Sequence, residues 1–133
     1  MSENISTFVK TADWKAEKHV PAIDAPAEAK AGEPVEISVA VGKEIPHPNT
    51  VEHHISWLAL HFVPAGSQTS IELGRFEFSA HGQAAKANEG PAHVAPSVKT
   101  TVCLAASGTL HATAYCNIHG LWTSSAAISV VQA

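Results

Sequence analysis

The heptapeptide VEISVAV, residues 35–41, decides the fold class. Val35, Ile37, Val39 and Val41 alternate with Glu36, Ser38 and Ala40, the period of two that gives a β-strand one buried face. Val98, Thr100, Val102 and Leu104 repeat the alternation, and β-prone runs also cover 54–63, 71–80, 109–116 and 126–131. Between them lies turn material: PAGSQTS, HGQAAKANEGP, ASG and HGLWTSS. No segment carries a long helical period with caps at its ends. Six or seven short strands joined in this way predict an all-β chain, an antiparallel β-sandwich of immunoglobulin-like kind. Residues 1–32, punctuated by Pro21, Pro26 and Gly32, read as a loop-rich N-terminal arm wrapping the sandwich of residues 33–133. The whole chain, 1–133, is expected to be one domain.

Composition limits the possible functions. Hydrophobic residues make up 45% of the chain and charged ones 15%, enough apolar surface for one core and too little charge for a disordered polymer. A net charge of −4 with no run of Lys or Arg argues against nucleic acid, whose phosphates require a basic patch. The start, MSENISTFVKTADWK, has no apolar stretch behind a basic head, and no segment approaches the roughly 18 apolar residues of a membrane span. A cytoplasmic location follows as an expectation, and with it Cys103 and Cys116 as free thiols. After Lys99 no Asp, Glu, Lys or Arg occurs through Ala133, a run of 34 residues. Part of that run belongs in the core, and the remainder suits a subunit interface, whose centre is depleted in charge.

Nine histidines outnumber the eight Lys and Arg together, which suggests metal. Three clusters carry the suggestion. EKHVP places Glu17, Lys18 and His19 on the arm; HPNTVEHH places His47 and His53 six apart; YCNIHGLW places Cys116 and His119 at a strand end and the turn that follows. A thiolate with several imidazoles suits Zn, Cu or Fe and disfavours Mg or Ca, which prefer oxygen. A blue-copper electron carrier, with two His, one Cys and a weak axial Met, is the alternative reading, as is an iron electron-transfer protein. The single methionine is Met1, so for copper a Gln or backbone oxygen would have to stand in for the axial ligand. Haem attachment would need C-x-x-C-H, which the chain lacks.

DWKAEKHVP, VGKEIPHPNTVEHHI, GRFEFSAHG and YCNIHGLW, in this order from about Asp13 to Trp122, resemble the superoxide reductases of the neelaredoxin type, the one-iron class related to the iron-binding domain of desulfoferrodoxin. The resemblance implies one mononuclear non-haem iron held by four imidazoles, His19, His47, His53 and His119, and by the thiolate of Cys116. It implies one-electron reduction of superoxide to hydrogen peroxide without oxygen evolution, with electrons from a small carrier such as rubredoxin, and, with the uncharged tail, a homotetramer. Lys18 is expected to attract the anion and organise water for protonation, and Glu17 to serve as a further ligand of the oxidised iron. The four-cysteine iron domain of longer relatives has no counterpart in these 133 residues.

In HHISWLALHF both alternating faces carry large apolar side chains, so the choice of His53 over His54 rests on the motif alone. His54, His61, His81, His93 and His111 read as structural or solvated, Cys103 as a bystander, and Trp14, Trp57 and Trp122 as packing residues beside the motifs.

Overall fold

The structure, a computed structural model, describes residues 3–132. A 3-10 turn at Ile5–Phe8, capped by the Asn4 side chain, precedes eight strands: β1 (Pro21–Asp24), β2 (Glu28–Lys30), β3 (Pro34–Val41), β4 (Ile55–Pro64), β5 (Ile71–Glu77), β6 (Ser97–Cys103), β7 (Gly108–Cys116) and β8 (Gly120–Val131). They form a three-stranded sheet, β1-β3-β6, and a five-stranded sheet, β2-β8-β7-β4-β5. The pairings are antiparallel except that of β2 with β8, which is parallel.

The alternation in 35–41 does what its period implies. Ile37, Val39 and Val41 of β3 and Val102 of β6 turn inward against Leu58, Leu60 and Phe62 of β4, Leu110, Ala112 and Ala114 of β7, and Ile128 of β8. Burying a Leu or Ile side chain contributes about 1.5–3 kcal/mol, so these facing rows hold the two sheets together. In β4 the register shifts between Ile55 and Trp57, a bulge that lets Ile55 and Leu58 both face the core. This irregularity explains why neither parity of that segment reads as polar.

Two elements depart from expectation. The arm does not merely loop: β1 lines the edge of the small sheet, and β2 the edge of the large one. At four and three residues, neither is long enough for an alternation to be read. Strand β8 begins at Gly120, because Gly120–Ile128 pairs continuously with β7; the turn is residues 117–119, and of HGLWTSS only His119 belongs to it. Pairing on the pleated surface overrides the turn-like composition of that tract. Gly120, with φ of +80°, closes the three-residue hairpin loop.

Among the described residues no helix is long and apolar enough to cross a membrane. Cys103 is exposed and Cys116 buried, and they are not joined.

Candidate metal centre

Cys116 closes the inward-facing row Leu110, Ala112, Ala114, Cys116 at the end of β7, which is why its thiol is fully buried. Three loops converge on that end. The arm brings His19, anchored by the buried Val20 and Pro21 at the start of β1. The β3–β4 connection brings His47 and His53, and the β7–β8 turn brings His119.

Each loop has its own fastening. Gly42, at φ +83°, turns the chain so tightly that a Cβ there would lie 2.7 Å from the His47 nitrogen. Thr50 and His53 close a small turn through Thr50 N to His53 O (2.9 Å) and His53 N to Thr50 Oγ1 (3.0 Å). Asn117 joins this loop to the β7–β8 turn: its Oδ1 accepts from His54 N (2.8 Å) and its Nδ2 donates to Glu52 O (2.9 Å). Asn88, itself at φ +68°, accepts from Val51 N (2.7 Å) and donates to the Glu52 carboxylate (2.8 Å).

The ring nitrogens are sorted by their partners. His19 Nδ1 donates to Glu17 Oε1, 2.5 Å away, and His47 Nδ1 to the Pro48 carbonyl at 2.6 Å. In both rings the proton is therefore held at Nδ1, and Nε2 keeps a free lone pair. His47 Nε2 and His53 Nε2 are buried without a hydrogen-bond partner, an arrangement costly unless something accepts their lone pairs. His19, His47, His53 and Cys116 bring one ligand atom each to within 4.8 Å of one another. His119 joins them through Nδ1, 3.1 Å from His19 Nε2 and 3.7 Å from Cys116 Sγ, while its backbone N–H donates to that sulfur at 3.4 Å. Four imidazole nitrogens and a cysteine sulfur, converging on one small space, fit a first-row transition metal. They exceed the two His and one Cys of a blue-copper site, and Met1 lies outside the described residues.

The site disfavours protonation of His47 and His53. Burial pushes His47 down to about 4 against the opposing pull of the Pro48 carbonyl, and nearby His19, His53 and Lys18 add to the depression. Burial, then His119, His19 and Lys18, hold His53 below its ordinary value. For Glu17 partial burial pushes upward, but the backbone and ring of His19 and the charge of Lys18 together outweigh it and hold the carboxyl low. Half-buried Lys18 thus lies within electrostatic reach of Glu17, His47 and His53, whereas Glu17 in this conformation grips the back of the His19 ring.

The other histidines occupy other positions. The rings of His54 and His81 stack at 3.6 Å, and buried His81 lies between Asn49 Oδ1 (2.9 Å) and the Phe78 carbonyl (2.8 Å). Asn49 Nδ2 in turn donates to Val94 O at 2.9 Å. This clamp ties the loop carrying His47 and His53 to the 78–94 segment, a role that no spacing in the sequence signals. His61 approaches Glu72 at 3.5 Å across the strands, and His93 is exposed. Trp57 stacks with Tyr115 and lies under Arg75, away from the cluster, whereas Trp122 stacks on His19.

Comparison with known proteins agrees with this geometry. The desulfoferrodoxin family pattern matches residues 11–125. The chain is 48% identical over 122 residues to the neelaredoxin of Megalodesulfovibrio gigas, covering 91% of this chain and 94% of that one. A crystal structure from Thermotoga maritima superposes with a TM-score of 0.95 at 52% identity, covering 98% of this chain and 99% of its own. The reduced form of the superoxide reductase (neelaredoxin) of Archaeoglobus fulgidus gives a TM-score of 0.84 at 48% identity, over 92% and 98% of the two chains.

Proposed function

The chain belongs to the desulfoferrodoxin family, and from that premise we propose that it is a superoxide reductase, converting superoxide, one electron and two protons into one hydrogen peroxide. The observation that carries this reading is the convergence of four imidazole nitrogens, two of them buried without a hydrogen-bond partner, on a buried cysteine sulfur. We assign His19, His47, His53, His119 and Cys116 as ligands of one iron per chain. Iron bound by these residues would supply the electron to superoxide, and donation from the Cys116 sulfur would favour its release.

The remaining steps belong to the chain's own residues. Lys18 gives a protein of net charge −4 a local positive potential beside the cluster, which attracts the anion and orders the water that delivers protons. Glu17 orients His19 through Nδ1, and by resemblance to the family it would also serve as a ligand of the oxidised centre. Ile118, beside His119 in the turn, and Ile45, in the loop before His47, are exposed apolar side chains. Such side chains suit contact with a small electron donor, for which rubredoxin is our assignment.

We further infer that residues 1–133 work as a single iron-binding domain in which the 1–32 arm supplies Glu17, Lys18 and His19. The outer rows of β7 and β8, among them Thr109, His111, Thr113, Thr123, Ser125 and Ala127, carry no Asp, Glu, Lys or Arg and support a homotetramer. The two free thiols support a cytoplasmic location.

Superoxide supplied with reduced rubredoxin and a regenerating reductant, after correction for spontaneous dismutation, should give one peroxide per donor electron. Catalytic oxygen evolution without donor consumption would show a dismutase and overturn the reading.

A further inference from the structure

Trp122 lies outside the ligand set yet touches it twice. Its partner across β7 is Ala114, so it stands on the same face of the large sheet as Cys116, which pairs with Gly120. From there the indole stacks on the His19 imidazole, centroids 4.9 Å apart and planes 14° from parallel. Its Nε1 donates to the His119 carbonyl at 3.3 Å. The two histidines so joined reach the site from opposite ends of the chain, one on the arm and one in a three-residue turn.

Each has one fixed point to which the indole adds a second: Glu17 on the His19 ring, and the Cys116 sulfur on the His119 N–H. Glu17 bonds the His19 ring at Nδ1, and the indole covers one face, so the two together restrain the ring's tilt more narrowly than the hydrogen bond does alone. His119 is exposed, in a hairpin turn, and the Trp122 bond holds its backbone. The arm is itself docked on the strand at this residue: Lys10 N donates to Leu121 O (3.0 Å), Thr123 N donates to Lys10 O (2.8 Å), and the Lys10 ammonium lies 5.5 Å from the Trp122 ring centroid. We infer that Trp122 is a positioning residue of the metal centre, setting the plane of His19 by stacking and the position of His119 through its carbonyl.

This inference rests on the proposed metal site, though not on the reaction performed there. An indole that only packs would, when removed, weaken the protein equally with and without metal. One that positions ligands would weaken the hold on metal itself, by the 10–100-fold typical of residues that orient ligands. The test compares Trp122→Leu, Trp122→Phe and Trp57→Leu after loading with ferrous iron. Release of iron to an excess of chelator and the gain in melting temperature between apoprotein and iron-loaded protein are both measured. Trp122→Leu should release iron at least about tenfold faster and lose much of the metal-dependent gain. Trp122→Phe, which keeps an aromatic face and loses the N–H, should fall between Leu and wild type, and it carries the test if the Leu variant does not fold. Release from Trp122→Leu or Trp122→Phe no faster than from Trp57→Leu would overturn the inference. Wild-type protein that retains no iron would overturn the proposed metal site together with it.

Discussion

His19 Nε2 and His119 Nδ1, a hundred residues apart in the chain, face each other at 3.1 Å. Because Glu17 holds the proton of His19 at Nδ1, the nitrogen facing His119 carries a lone pair. A metal ion that took both nitrogens as ligands would replace the hydrogen bond between them. Bound iron should therefore raise the melting temperature of the protein, and His47→Ala or His119→Ala should weaken iron retention far more than His61→Ala or His93→Ala. Metal analysis after gel filtration checks this, and equal losses across the four variants would refute the ligand assignment.

The Cys116 sulfur, the proposed iron ligand, is buried and approached by the His119 N–H at 3.4 Å. Oxidised protein should show a visible sulfur-to-iron charge-transfer band. Cys116→Ser should abolish it, while exposed Cys103→Ser should leave it unchanged.

Acid should destabilise the apoprotein through its buried imidazoles. Burial puts His47 at about 4 in the folded chain, against 6.5 for an ordinary histidine, so the unfolded chain binds the extra proton more readily. The stability associated with the neutral ring is complete above about pH 6.5 and is lost progressively as pH falls toward 4. His53, shifted in the same direction, adds to the slope. Denaturant midpoints of apoprotein between pH 7 and 4 should fall, and more steeply in wild type than in His47→Gln. Identical slopes would count against the burial of this ring.

Lys18 should govern the approach of the anion. Lys18→Ala should slow the second-order reaction with superoxide by roughly tenfold at low salt and flatten its salt dependence, with iron content unchanged. Glu17→Ala should instead change the oxidised spectrum and spare the fast step. Pulse radiolysis at several ionic strengths separates the two.

Gly42 couples a backbone requirement to the metal site. Gly42→Ala imposes a Cβ at φ +83° and 2.7 Å from the His47 nitrogen, so it should cost at least roughly 1–2 kcal/mol and also loosen iron. Gly32, at φ +76° with open space around its Cβ, should on mutation to Ala show the backbone cost alone. Chemical denaturation paired with iron release distinguishes these outcomes.

The β-character of the chain was legible in residues 35–41 because a period of two has one physical meaning, a pleated strand with one face in the core. YCNIHGLW likewise disclosed Cys116 and His119, since parity along β7 carries the inward row to the cysteine and the turn follows directly. His19, His47 and His53 were legible through their motifs, and His53 could not be told from His54 by parity, because a bulge at the start of β4 breaks the alternation there. Strands β1 and β2 left no readable pattern, being only four and three residues long and held by partners far away in sequence. Tertiary structure alone decided that His81 braces His54, that Asn88 and Asn117 pin the ligand loops, and that Trp122 differs from Trp57 by lying against His19. These roles depend on contacts between residues 27 to 103 positions apart in the chain. Local spacing cannot encode them, because the partner of each side chain is fixed only when the two sheets close and bring the three loops to one end.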